Sequence, residues 1–387
     1  MVGAHVLQLI DGMNIGGAEI LLRDLSVGLV QRGFRVSVGY STPGPLAQDL
    51  HKLGLPLTRL PRLMRVDPIL FGGMIRLMRK DLPQIVHTHL FKSDFHGRLA
   101  ARIAGVPVIV STLHSIDRWA QKRPLGKLYG WTSRFADRII AISEDVKKFH
   151  ISNTSMDESK FIIIENGVDI QRFAGQESAG RDIRKEFGLD TSAVVFGIIG
   201  RLTPPKDHQV FLQAAALILQ SVPQARFLIV GDGSLRQELE SRALELGIAA
   251  SVTFTGMRRD IPAMLAALDV LVLSSLWEGL PVNLLEGMAS ALPVVATKVG
   301  SIPDVATEET AILVPSSDPD AIAQACIKLA NDPELRLRMG QAGLKRVKAR
   351  YSMDVMINHT AALYSELLVQ RGLAHFIPPQ ALAQGNS

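Results

Sequence analysis

From residue 5 to residue 315 the chain repeats one pattern: a short apolar run rich in Val, Ile and Leu, then a longer stretch of helical character. The runs HVLQLI (5–10), RVSVGY (35–40), QIVHTHL (84–90), VPVIVSTL (106–113), DRIIAIS (137–143) and KFIIIENG (160–167) show no regular polar/apolar alternation. A strand with one wet face alternates; one that does not is covered on both faces, as in a parallel sheet under helices. The rhythm restarts with SAVVFGIIG (192–200), ARFLIVG (225–231), SVTFTG (251–256), DVLVLSS (269–275), LPVVAT (292–297) and TAILVP (310–315). Two successive runs of βα units in 387 residues, more than one core usually serves, predict an α/β protein of two doubly wound domains.

Helical patterns cover 17–32, 68–80, 206–221 and 234–246. Gly33 closes the first, and Asp67 caps the second with Pro68 in its first turn. The Gly-rich, polar stretch NGVDIQRFAGQESAG (166–180) reads as the linker, 354–371 as a last helix, and FIPPQALAQGNS (376–387) as a frayed tail. The expected domains are 1–168 and 178–351, with 372–387 as a flexible end.

A single cysteine, Cys326, excludes an internal disulfide and a zinc ribbon and suits a reducing cytoplasm. The start MVGAHVLQLIDG lacks the basic lead and long apolar run of a signal peptide. No apolar stretch reaches the ~18 residues of a membrane span. The expected location is therefore cytoplasmic. Charge is uneven: residues 1–170 carry 22 Lys and Arg against 15 Asp and Glu, and Arg59–Arg138 carries 15 against 5. A basic half calls for an anionic partner, a membrane surface or nucleic acid. No nucleic-acid-binding signature accompanies it.

Doubly wound sheets bind ligands at the carboxyl ends of their strands. After the first run, DGMNIGGAE (11–19) places Gly16 and Gly17 at a helix start, where backbone can approach a ligand and N–H groups can hold an anion. An ordinary tight turn uses the same glycines. The segment is not GxGxxG, and no GxxxxGK[ST] occurs, so neither dinucleotide nor P-loop fingerprint is present. In GRLTPPKDH (200–208), Arg201 and Lys206 suit a diphosphate, although surface cations are common. His87 and His89 (VHTH) and His114 (STLHS) end strands, but no nearby Asp, Glu or Cys completes a metal set. Asp318 and Asp320 read as a helix cap. No metal site is expected.

The densest segment is SSLWEGLPVNLLEGMA (274–289), where Glu278 and Gly279 turn and Pro281 starts a helix. Asn283, Glu286, Gly287 and Ser290 form a polar stripe opposite Val282, Leu284, Leu285, Met288 and Ala289. A solvated face explains the stripe but not Gly287, which costs ~1 kcal/mol relative to Ala in a helix interior and asks for a close neighbour. The helix start can bind phosphate. Glu286, ~7–8 Å further along, can chelate a ribose diol. Glu278 can take hydroxyls of a sugar beyond the phosphates. A nucleotide diphosphate sugar asks for that combination.

Taken in order, GGAE at Gly16–Gly17, VHTH, STLHS with His114, NGVD (166–169), GRL…K with Arg201 and Lys206, VGDG (230–233) and the E-x7-E of Glu278 and Glu286 resemble the retaining glycosyltransferases of family 4. The resemblance runs from about residue 4 to residue 371. It implies the GT-B fold, two Rossmann-like domains facing across a cleft, with the 354–371 helix crossing back to the N-terminal, acceptor-side domain. It implies a UDP- or GDP-sugar as co-substrate, no cofactor, no metal and retention of anomeric configuration. By position, Arg201 and Lys206 would hold the diphosphate and Glu286 the ribose. Glu278, Gly279, Leu280, Pro281 and Val282 would face the sugar and phosphate. Gly16 and Gly17 would close on the donor, and His114 would contact the sugar near the reacting carbon. His87 and His89 are acceptor-side candidates. Leu280 stands where the family often has phenylalanine, which leaves the sugar open.

Front-face attack assisted by a phosphate oxygen is the expected route, since no carboxylate stands out as a nucleophile. The expected acceptor is a saccharide or lipid-linked sugar in surface polysaccharide or glycoconjugate synthesis, with an anionic membrane surface as a further partner and no nucleic acid. A nucleotide-sugar 2-epimerase of the same fold and a two-lobed non-catalytic binding protein are the alternatives.

Overall fold

The computed structural model describes residues 3–62, 67–116, 118–122 and 124–382. They form two compact units: one of the residues up to Gly167 with those from Met353, the other Val168–Ser352.

The first unit is built on seven strands: β1 (His5–Gly12), β2 (Arg35–Thr42), β3 (Leu57–Arg59), β4 (Ile85–His89), β5 (Val108–Leu113), β6 (Arg138–Ala141) and β7 (Phe161–Ile163). Their order is β3-β2-β1-β4-β5-β6-β7, all parallel. Val6, Leu7, Leu9 and Ile10 of β1 are almost wholly buried, so both faces of the sheet are covered as the missing alternation requires. The edge strand β3 is unexpected; three residues, two half-exposed and Arg59 exposed, leave no periodicity to read. Strand order reverses between β1 and β4, and the loops after these strands flank the switch point. Asp67 caps the Pro68–Asp81 helix by accepting from the N–H groups of Ile69 and Leu70 at 2.9 and 3.2 Å. The Met353–Gln370 helix completes the unit, burying Ala361, Leu363, Tyr364, Leu367 and Leu368. Tyr364 meets Phe34 edge-on, and Arg32 donates to Asp354 and Asn358 of the same helix.

The second unit carries β8 (Val195–Ile199), β9 (Arg226–Val230), β10 (Val252–Gly256), β11 (Val270–Leu273), β12 (Val294–Thr297) and β13 (Ala311–Val314). They run parallel in the order β10-β9-β8-β11-β12-β13, with the switch point between β8 and β11. Phe196 and Phe227 stack at 5.6 Å in its core, where Cys326 is buried as a free thiol.

The division between the units falls within 166–180: the chain passes into the second unit at Val168, forms a turn at Ile170–Phe173 and starts the Glu177–Glu186 helix. One expectation needs correction. The tail is ordered as far as the Pro379–Leu382 helix, anchored by the Ala4 N–H donating to Phe376 O at 2.8 Å and by buried Ile377. Residues 383–387 lie outside the described residues.

Candidate functional site

In the second unit the loops after β8, β9, β11 and β12 are stitched together by their own backbones. Leu202 N–H donates to Asp232 O at 3.0 Å, joining the Arg201 loop to the VGDG turn. Leu276 N–H donates to Pro205 O at 2.8 Å, and Ser274 Oγ lies 2.8 and 2.9 Å from the carbonyls of Lys206 and Asp207. Asn283 Nδ2 donates to Ile199 O at 2.6 Å, tying the Val282–Ala289 helix to the end of β8. Ser301 donates to Gly279 O. Beside it, Gly300 has φ +52°, and a Cβ there would overlap the Glu278 carbonyl. Only glycine meets both demands at little cost.

These constraints bring Lys206 Nζ to 2.5 Å from Glu278 Oε1. Ser275 Oγ donates to the same oxygen at 2.7 Å. Both charged side chains are largely enclosed, 21% and 12% exposed. Arg201 is different: it is exposed, and its guanidinium makes no hydrogen bond or ion pair among the described residues. Glu286 is half-buried one turn into the helix that Pro281 caps, with Gly279, Leu280 and Pro281 buried and Val282 half-buried before it. Gly287 does not belong to the polar stripe. It is buried against β11, and a Cβ there would overlap the Leu271 side chain. The close neighbour that its presence demanded is the sheet.

In the first unit, Gly16 is the N-cap residue of the Gly17–Gln31 helix, and the Glu19 carboxylate lies against it. The helix start therefore already has an acid in its positive end. His87 has no exposed surface; Nδ1 is 2.5 Å from Tyr364 Oη and Nε2 2.6 Å from Thr112 Oγ1. Burial lowers its pKa to about 3. The acceptor-side role expected for His87 is thus corrected to that of a core group pinning the last helix to the sheet. His89 is 1% exposed, with Nε2 2.7 Å from Gln8 Oε1 and Nδ1 2.9 Å from His114 Nε2. It too has no face for an acceptor. His114 is half-buried, its Nδ1 enclosed without a hydrogen-bond partner, and burial lowers its pKa to about 4. Its Nε2 is taken by His89 and its Nδ1 is enclosed. A cavity of about 30 Å³ lies beside the three rings, lined also by Thr112, Asn166 and Thr360.

Some organising residues were not anticipated. Gln8, set between Leu7 and Leu9 in β1, is fully buried, and its place among apolar neighbours was the available signal. Asp11 caps the Phe91–Ala104 helix from outside, accepting from the N–H groups of Lys92 and Ser93 at 3.1 and 2.6 Å. Asp94 and Arg98 form a fully buried pair at 3.5 Å, with Tyr129 and Thr88 donating to Asp94 at 2.5 Å each. Burial pushes the Asp94 carboxyl up to about 6 despite Arg98.

In the basic stretch Arg59–Arg138, the cations Arg59, Arg76, Arg79 and Lys80 are exposed. Leu63, Met64, Arg65 and Arg123 lie outside the described residues, as does the Arg118 side chain. Leu70, Met74 and Met78 are core, Tyr129 is buried, and Trp119 packs on Phe91 at 4.1 Å. Lys122, Lys127, Leu128, Trp131 and Arg134 are exposed together, with the Arg134 guanidinium 5.3 Å above the Trp131 ring. Among the described residues no helix is long and apolar enough to cross a membrane. Among them, too, no three His, Cys, Asp or Glu side chains are grouped to hold a metal ion. Asp318 caps the Pro319–Asn331 helix, accepting from Ala321 N–H.

Comparison with known proteins adds an independent line. Residues 15–172 match the family described as Glycosyltransferase Family 4, and residues 180–346 match Glycosyl transferases group 1. The chain is 32% identical over 308 residues to the Escherichia coli UDP-Gal:alpha-D-GlcNAc-diphosphoundecaprenol alpha-1,3-galactosyltransferase, covering 77% of this chain and 79% of that one. It is 28% identical to the alpha-D-kanosaminyltransferase of Streptomyces kanamyceticus, over 75% of this chain and 79% of the relative. Among solved structures, Anabaena HepE in complex with UDP-glucose superposes with a TM-score of 0.86 at 22% identity, covering 94% of this chain and all of the other.

Proposed function

Because the chain belongs to the family 4 glycosyltransferases of GT-B fold, we propose that it moves a hexosyl or N-acetylhexosaminyl unit from a UDP- or GDP-sugar to a saccharide or lipid-linked acceptor, with retention of configuration. The observation that carries this reading is the convergence of Lys206, Glu278 and the Val282–Ala289 helix start at the carboxyl ends of β8 and β11. Breaking the glycosidic bond leaves a diphosphate whose charge grows as it departs. Lys206, Arg201 and the helix start are positive groups that stabilise it without a metal. Glu286 accepts the ribose hydroxyls and Glu278 those of the sugar. Gly16, Gly17 and His114 are the first unit's candidates for substrate contact. A phosphate oxygen of the donor takes the proton of the attacking hydroxyl.

The location fitting this reading is the cytoplasmic face of a membrane, in surface polysaccharide or glycoconjugate synthesis. Lys122, Lys127 and Arg134 are suited to anionic headgroups, and Leu128 and Trp131 to the layer beneath them. The relatives are named as transferases, so nothing favours the epimerase or binding-protein alternatives. A panel of UDP- and GDP-sugars screened by thermal shift, then assayed with and without saccharide acceptors in EDTA, tests the proposal. Acceptor-dependent release of one nucleotide is expected. Release that needs no acceptor, activity that disappears until Mg²⁺ is restored, or an inverted product contradicts it.

A further inference from the structure

Of the two cations assigned to the diphosphate, one is already neutralised. Arg201 is exposed and without a side-chain partner among the described residues, whereas Lys206 is held at 2.5 Å by Glu278. This pairing is built rather than incidental. The Lys206 carbonyl is bonded by Ser274, the Glu278 backbone is packed against Gly300, and Ser275 donates to the same Glu278 oxygen that meets Lys206. Glu278 Oε2 has no hydrogen-bond partner among the described residues and is not sealed in. The carboxylate thus has one oxygen spent on Lys206 and Ser275 and one left over.

A diphosphate arriving at Lys206 must compete with that carboxylate, because one ammonium cannot serve two enclosed anions equally well. An intact nucleotide sugar compensates. Its hydroxyls donate to Glu278 as the phosphates take Lys206, so the carboxylate loses one hydrogen-bonding partner and gains others. A free nucleoside diphosphate takes Lys206 and offers Glu278 no hydroxyl in return. We propose that Glu278 is an internal counter-ion to Lys206 that discriminates intact donor from spent nucleotide, yielding Lys206 to a nucleotide sugar and reclaiming it from the free diphosphate. The inference rests on the glycosyl-transfer reading and adds to it a means of product release.

The test is isothermal titration of the full-length protein with UDP and with UDP-sugar, or their GDP counterparts if those bind better. Glu278→Gln keeps the shape and removes the charge. Its affinity for UDP should rise about threefold or more, while its affinity for the nucleotide sugar falls about tenfold, the loss of a charged hydrogen bond to a hydroxyl. Glu278→Asp, one methylene short of Lys206, should shift UDP affinity the same way, and it serves if the glutamine variant does not fold. In a Lys206→Met background, Glu278→Gln should leave UDP affinity unchanged, since there is no cation to contest. Unchanged or weakened UDP binding in both Glu278 variants overturns the inference alone and makes Glu278 a group that merely orients Lys206. A parent protein that binds neither UDP nor GDP overturns the glycosyl-transfer reading and this inference with it.

Discussion

Gly287→Ala tests why a glycine occupies the middle of an eight-residue helix. On an exposed face the change would stabilise by ~1 kcal/mol, the difference in helix propensity. Gly287 faces β11 instead, where a new Cβ would overlap Leu271 Cδ2 and lie 3.5 and 3.6 Å from Leu271 Cγ and Cβ. The overlap involves one methyl of a flexible side chain, so relief is possible by rotation. Leu271 is fully buried, however, and rotation pushes it into packed neighbours. Overpacking of this kind costs ~1–3 kcal/mol, and subtracting the propensity gain leaves a net destabilisation of about 1 kcal/mol. Leu271→Ala alone should cost ~2–5 kcal/mol through the hole it opens. Combined, the methyl at 287 enters that hole, and the pair should be more stable than the sum of the singles by more than about 1 kcal/mol. The chain has three tryptophans, so Trp119→Phe with Trp131→Phe leaves Trp277 as a fluorescent reporter of the second unit during urea unfolding. A Gly287→Ala protein more stable than its parent, or an additive cycle, would refute the packing argument.

Glu286→Ala should weaken UDP-sugar binding about tenfold, ~1.4 kcal/mol, with unchanged unfolding, and parental affinity by titration would return Glu286 to an ordinary helix face. Acid should destabilise the fold. Burial holds His87, His89, His114, His150 and His208 below the usual histidine value, so between pH 6.5 and about 4 the unfolded chain binds more protons. Stability is then full above pH 6.5 and falls as pH drops through that window. Asp94, raised to about 6, and Asp207, also raised by burial, work the other way, but the buried histidines, His5 among them, outnumber them. A urea midpoint that rises from pH 6.5 to 4.5 would contradict this balance. Liposome co-sedimentation should show binding that grows with anionic lipid and falls with salt. It should drop in a Lys122, Lys127, Arg134 to Ser variant, and a parent left in the supernatant at low salt ends the membrane proposal.

The strands and the two parallel sheets were readable because non-alternating apolar runs have one common explanation, burial on both faces. The site in the second unit was readable in part: Lys206 and Glu278, 72 residues apart, were each singled out, but not their contact. That contact depends on backbone bonds between loops, such as Leu276 to Pro205, which no local pattern records. Gly287 was placed on the wrong face because helical spacing counts an absent side chain as polar. His87 and His89 read as ligand contacts because histidine at a strand end looks reactive. Their burial depends on Tyr364 and Gln8, partners far away in the chain. Asp94 and Arg98, four apart on one helix, look like a solvated surface pair, and only the packing of Tyr129 over them makes them core.

The ends of the second unit lie side by side: Val168 N–H donates to Tyr351 O at 2.9 Å, and Val168 bridges to Ser352. That unit is therefore one unbroken length of chain inserted into the first, and the two must mature in the reverse of the order in which they are started. As the polypeptide leaves the ribosome, the first sheet emerges complete but lacks the helix that covers it. His87 waits for Tyr364, and Leu21, Leu22 and Leu25 wait for Met356 and Thr360 across the cavity they share. The second unit has everything it needs once Ser352 is out. A nascent chain stalled short of the last helix would hold a finished second unit and an unfinished first one, which makes any such fragment a natural target for proteolysis.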